Sequence, residues 1–160
     1  MALSVDVRAM SLTIPLYGNT PLHAATEGGF INIVRFLLER ADIDPNKGNK
    51  YGNTPLHAAT IGGFINIVTF LLERADIDPN KGNKFGDTPL HAAAEGGFIN
   101  IVKLFLERAD IDPKKGNKLN GNTPLHSAAS CGNLDIVELL LERADIDPNG
   151  ENKFEYQKDQ

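Results

Sequence analysis

The sequence has no tryptophan and a single cysteine, Cys131, among its 160 residues. One thiol cannot close an intramolecular disulfide, so no disulfide framework holds the chain and a reducing, cytoplasmic setting is expected. Positive charge is not in excess: 16 basic residues stand against 21 acidic ones. Dedicated nucleic-acid binders more often carry the opposite balance, so nucleic acid is not expected as a partner. No apolar run approaches the roughly 20 residues that span a bilayer, so membrane insertion is not expected. The opening stretch, MALSVDVRAMSLTIP, lacks a basic start followed by an unbroken apolar run, which argues against a secretory signal. Phosphate loops, dinucleotide fingerprints, calcium-loop spacings and N-x-[ST] sequons are missing as well. What is present is an ordinary globular composition, 41% hydrophobic and 23% charged, enough for the core of one domain and unlike that of a disordered chain.

Internal repetition decides the reading. The tetrapeptide TPLH begins at Thr20, Thr54, Thr88 and Thr123, in steps of 34, 34 and 35 residues. Segments 17–50 and 51–84 differ only at Glu27/Ile61 and Arg35/Thr69, and segment 85–118 differs from its predecessor at eight positions. The fourth copy, 119–152, has one extra residue and diverges further. Each copy has the same local grammar. A threonine hydroxyl caps a short helix whose first residue is proline, with its preset φ and no amide to satisfy. A Gly-Gly step stops that helix. A second helix follows, expected over about 31–40 in the first copy, with Ile33, Val34, Leu37 and Leu38 at helical spacing. The stretch ADIDPNKGNKYGN then reads as a long loop punctuated by Asp-Pro, Lys-Gly and Tyr-Gly. One such unit cannot bury its apolar face alone, and stacked neighbours close the core. The Phe70-Leu71 to Leu104-Phe105 exchange fits this, because it moves a ring while conserving volume.

The pattern G-x-T-P-L-H-x-A-A-x-x-G…V-x-x-L-L resembles the ankyrin repeat and recurs four times over about residues 17–150. The resemblance implies an all-α solenoid of stacked helix-turn-helix units joined by long finger loops. It divides the chain into an irregular N-terminal cap (1–16, offering Val5, Val7, Met10, Leu12 and Ile14), repeats at 17–50, 51–84, 85–118 and 119–152, and a C-terminal tail (153–160). It also implies a non-catalytic module that binds a protein partner. Two departures stand out: Arg40 runs directly into Ala41-Asp42 where the family usually has glycine, and the finger is longer than usual. Near-identical copies resemble ankyrin proteins that intracellular bacteria or symbionts direct at host cells. A spacer or targeting segment of a larger multidomain protein and an engineered repeat scaffold are the rival readings.

Groups that could carry chemistry are better explained by the repeat. His23, His57, His91 and His126 stand one per repeat, a ladder rather than a converging metal cluster; the family implies a structural hydrogen-bonding role for them beside threonine. Cys131 has no repeat-encoded base near it, as a nucleophile would need. The pairs Asp42/Asp44, Asp76/Asp78, Asp110/Asp112 and Asp145/Asp147 recur in every copy, which suits turns before proline more than acid–base work. No catalytic residue, cofactor or metal ligand is therefore assigned, and a monomer is expected.

Mapping the family's variable positions onto this chain gives a partner-binding face. It comprises Tyr17, Asn19, Glu27, Lys50, Tyr51, Asn53, Ile61, Lys84, Phe85, Asp87, Glu95, Asn120, Asn122 and Ser130. The resemblance places these on the concave surface made by fingers and first helices. Tyr17, Tyr51 and Phe85 are expected in a row with Ile61 beside them, as anchors for a partner or as finger packing. Eight of the 16 basic residues lie in the fingers, a basic ladder that suits a partner with an acidic patch.

Overall fold

A computed structural model describes residues 17–153. The proposed cap, 1–16, and residues 154–160 of the tail lie outside the described residues. Eight helices, in four antiparallel pairs, make up the regular structure among them: α1 (Pro21–Glu27) and α2 (Ile31–Leu38), α3 (Pro55–Ile61) and α4 (Ile65–Leu72), α5 (Pro89–Gly96) and α6 (Ile99–Leu106), α7 (Pro124–Ser130) and α8 (Leu134–Leu141). The architecture is the expected all-α solenoid.

Local chemistry sets each element. Thr20, Thr54, Thr88 and Thr123 sit in extended geometry at the N-caps of α1, α3, α5 and α7, each followed by proline at the first helical position. Each threonine forms a capping box with the histidine three residues on. The Gly-Gly step works through its second member: Gly29, Gly63, Gly97 and Gly132 all have φ between 70° and 75°, the left-handed region that glycine enters without penalty. The second helix ends two residues earlier than the spacing predicts, at Leu38 in the first copy. Arg40 is instead drawn into the loop, where its guanidinium grips Asp42 through Nε and Nη2 at 3.0 and 2.9 Å.

The core is one continuous cluster running through all four pairs. The first helices pack more closely on one another than the second helices do. Sequence explains the difference. Small residues such as Ala25, Ala59, Ala93, Ala94 and Ala128 line the buried side of the first layer, whereas Leu71, Leu72, Phe105 and Leu140 fill the second. Helix spacing follows side-chain size at the contact, so the stack is shorter along the first-helix layer and curves toward it.

Burial also shows which side of a repeat meets which neighbour. Ile67, Ile101 and Ile136 are fully buried, but their counterpart Ile33 is 50% exposed. No described repeat stands on its outer side. Conversely Leu38 and Leu72 are buried while Leu141, at the other end, is 41% exposed. The Phe70-Leu71 to Leu104-Phe105 exchange has a matching cause. The Arg35 guanidinium lies 4.3 Å over the Phe70 ring of the next repeat, and where that ring is replaced by Leu104 the cation is replaced by Thr69.

Candidate partner-binding surface

The fingers carry two hydrogen-bonded seams. Near the tips, Lys50, Lys84 and Lys118 donate their backbone N–H groups to the carbonyls of Tyr17, Tyr51 and Phe85, at 2.6, 2.9 and 2.7 Å. Beside this runs a side-chain ladder: Asn49, Asn83, Asn117 and Asn152 donate through Nδ2 to Asn19, Asn53, Asp87 and Asn122. The histidines tie the ladder to the helices. The backbone N–H of Thr54 donates to Nδ1 of His57, so that nitrogen is unprotonated and Nε2 carries the proton, which it donates to the Asp87 carbonyl at 2.9 Å. His23 and His91 reach Asn53 and Asn122 in the same way. All three rings are buried. Burial disfavours their charged form and lowers their pKa values, that of His57 to about 4.

The second seam lies at the opposite end of the loop. Arg40, Arg74, Arg108 and Arg143 each hold the aspartate two residues on. The guanidinium holds the carboxyls of Asp42, Asp76, Asp110 and Asp145 below their ordinary range. Arg108 and Arg143 also donate to the carbonyls of Leu72 and Leu106, closing the C-terminal end of the preceding second helix. Asn46 bridges to the next repeat, donating to the Asp76 carbonyl and accepting from the Asp78 N–H; Asn80 repeats the pattern with Asp110 and Asp112. Lys81 and Lys115 fasten the same seam by donating to the Asn46 and Asn80 carbonyls. The second aspartate of each pair closes its own turn, as Asp44 does by accepting the Asn46 N–H. Asp pairs, arginine and part of the lysine ladder therefore hold repeats together. This seam was not anticipated in the sequence, although the Arg-Ala-Asp departure is its signature.

The residues expected on the binding face fall into two groups. Asn19, Asn53, Asp87 and Asn122 are half-buried members of the inter-finger ladder, with side chains already engaged. Asn120 shapes the longer finger between repeats 3 and 4 by accepting the Asn122 N–H. Tyr17, Lys50, Lys84, Phe85, Glu27, Ile61, Glu95 and Ser130 are exposed. Tyr17 and Tyr51 lean on each other, ring centroids 5.4 Å apart and tilted by 51°, with Tyr51 half-buried and Phe85 45% exposed. Glu27 is held by both carboxylate oxygens against Asn19 Nδ2, at 2.9 and 3.0 Å. Ser130 bonds back to the Ser127 carbonyl.

Ile61 occupies the middle of the first-helix layer with 56% of its surface exposed. It borders two hollows. One of about 340 Å³ is lined by Asn53, His57, Asn83, Asp87, Glu95 and Phe98 together with Ile61; the other, about 190 Å³, faces repeat 1 and includes Glu27 and Asn49. Neither is lined by a lysine. Among the described residues no three His, Cys, Asp or Glu side chains gather as a metal site, and no helix is long and apolar enough to cross a membrane. Cys131 is exposed at the end of α7.

No curated protein matches the chain. A family model of ankyrin repeats, three copies long, matches residues 3–83 and again residues 75–152. Such repeats are generally protein-interaction modules and are typically non-catalytic. With four capped helix pairs stacked through histidine-tied fingers and the model matched along nearly its whole length, the chain belongs to the ankyrin-repeat family.

Proposed function

We propose that the chain is a non-catalytic module that binds a protein partner across the concave surface formed by fingers and first helices. Its repeat units are taken as 17–50, 51–84, 85–118 and 119–152. The observation that carries the reading is the set of large side chains left exposed there with no packing duty that requires it. Ile61 stands where the repeats before and after it carry Glu27 and Glu95 and is 56% exposed, and Phe85, at the repeat position of Tyr17 and Tyr51, is 45% exposed. Exposed aromatics near the centre of a surface are the usual anchors of protein interfaces. Lys50, Lys84 and Lys118 edge the aromatic row, and their exposed ammonium groups suit acidic residues at the partner's rim.

A photo-crosslinking amino acid placed at Tyr51 or Phe85 tests the face, with Thr69 and Lys103 on the outer helices as reference positions. Adducts from the first pair and not the second are expected in a cell lysate. With the crosslinked protein in hand, Tyr51→Ala/Phe85→Ala should weaken its binding by about 2 kcal/mol or more. Adducts only from Thr69 and Lys103 would move the site to the outer helices.

A further inference from the structure

The floor of the concave surface has its own chemistry, distinct from the lysine-edged fingers. Equivalent positions on α1, α3 and α5 read Glu27, Ile61, Glu95, and all three side chains are exposed. The order is acid, large aliphatic, acid. The two hollows beside Ile61 carry Glu27 on one side and Glu95 with Asp87 on the other. Glu27 is pre-oriented by Asn19. Exposure of an isoleucine is not demanded by the fold, since the same helix position holds glutamate in the repeats before and after it.

We infer, building on the concave-face reading, that this floor takes an extended segment of a partner protein with a basic, an apolar and a second basic side chain three residues apart. Charge complementarity selects the ends: Glu27 and Glu95 each offer an exposed carboxylate to a lysine or arginine. The apolar residue between them covers Ile61 and enters the hollow lined by Phe98. Spacing selects the conformation. Packed helices lie about 8–10 Å apart. A polyproline-II segment turns once in about three residues and rises about 3.1 Å per residue, so its residues i, i+3 and i+6 face one way about 9 Å apart. A β-strand at that separation would turn alternate contacts to opposite faces. The occupant is therefore a polyproline-like segment of the form basic-x-x-apolar-x-x-basic.

Titration of the isotope-labelled 160-residue chain with the peptide Arg-Pro-Pro-Leu-Pro-Pro-Arg, followed by amide NMR shifts, tests the inference. Shifts centred on Glu27, Ile61 and Glu95 are expected. Replacing both arginines of the peptide by glutamate should weaken binding at least fivefold, and so should replacing leucine by serine. Ile61→Glu should do the same without lowering the unfolding midpoint, because its neighbours already carry glutamate there. Glu27→Gln/Glu95→Gln should weaken binding and flatten its salt dependence. Equal binding of the glutamate peptide, indifference to Ile61→Glu, or no shift on the floor at millimolar peptide would overturn the inference. Shifts confined to Tyr17, Tyr51 and Phe85 would overturn it while leaving the concave reading intact; shifts confined to the outer helices would count against both.

Discussion

At the residue scale the histidines couple folding to pH. His23, His57 and His91 are neutral when buried, and their native pKa values lie below the unfolded value of about 6.5. A lowered histidine pKa means that the unfolded chain binds protons first. Stability is therefore full above about pH 6.5 and falls as the pH drops toward the folded value, about 4 for His57. Protonation of that ring in the unfolded chain alone removes about 2 kcal/mol of stability by pH 5. The exposed Arg–Asp pairs titrate lower, so they do not explain a loss in this window. We expect the urea midpoint to decline steadily between pH 6.5 and 4.5; a flat midpoint over that range would exclude the assignment. A second prediction separates two glycines of similar geometry. Gly52 has φ 78°, and a Cβ there would lie 2.8 Å from the Lys84 nitrogen of the next finger, whereas Gly132 has φ 73° and nothing within 4 Å. Gly132→Ala should cost about 1 kcal/mol, the left-handed penalty alone. Gly52→Ala should cost at least twice that, measured by chemical unfolding, because it also parts two fingers. The histidine role was legible from the resemblance, since every copy carries Thr-Pro-Leu-His. The crowding at Gly52 was not, because sequence does not state which backbone passes a turn.

The helices themselves were nearly all legible, since capping threonine, proline and Gly-Gly are local signals whose effects stay local. The second helix of the first repeat ends two residues short of the limit its spacing predicts, because Arg40 pairs with Asp42 and not with the helix before it. The loop seam was hidden for a related reason: Asn46 and its partners Asp76 and Asp78 are some 30 residues apart. Once visible, the seam exposes a defect. Repeat 3 carries Lys114 where the first two repeats carry the bridging Asn46 and Asn80, and repeat 4 has Gly150 where Lys81 and Lys115 complete the fastening. The junction between the third and fourth repeats thus lacks both links. Asn133 compensates in part by donating to the Ala94 and Glu95 carbonyls. Lys114→Asn restores an amide opposite Asp145 and Asp147, and two exposed hydrogen bonds of this kind should add about 1 kcal/mol. The readout is the thermal midpoint together with amide exchange in α7 and α8. A midpoint that falls would show that the extra residue of the fourth copy has moved Asp145 out of reach.

Across the whole molecule, position in the stack matters more than sequence within a repeat. The first two copies match at 32 of 34 positions, yet α3 is buried almost throughout while Pro21 and Ala24 of α1 are exposed. Stability in such arrays is a sum of repeat terms and neighbour interfaces, so near-identical helices should open at different free energies. The contrast is sharpest at the other end. Leu134 and Leu141 are 67% and 41% exposed, and Leu125, Val137 and Leu139 are only partly covered. The counterparts of Leu125 and Val137 in the third repeat, Leu90 and Val102, are 1% and 0% exposed. The weakened seam at Lys114 compounds this loss of cover. We therefore expect amide exchange in the 160-residue chain to be slowest in α3 and α4, faster in α1 and α2 despite their matching sequence, and fastest in α7 and α8. Hydrogen exchange followed by mass spectrometry gives this order directly, peptide by peptide. Local opening should precede global unfolding at the fourth repeat, and Lys114→Asn should slow exchange there while leaving α1 and α2 unchanged. Uniform protection along the chain would mean that the four repeats unfold as one unit, and that neither the missing seam nor the exposed leucines set the local stability.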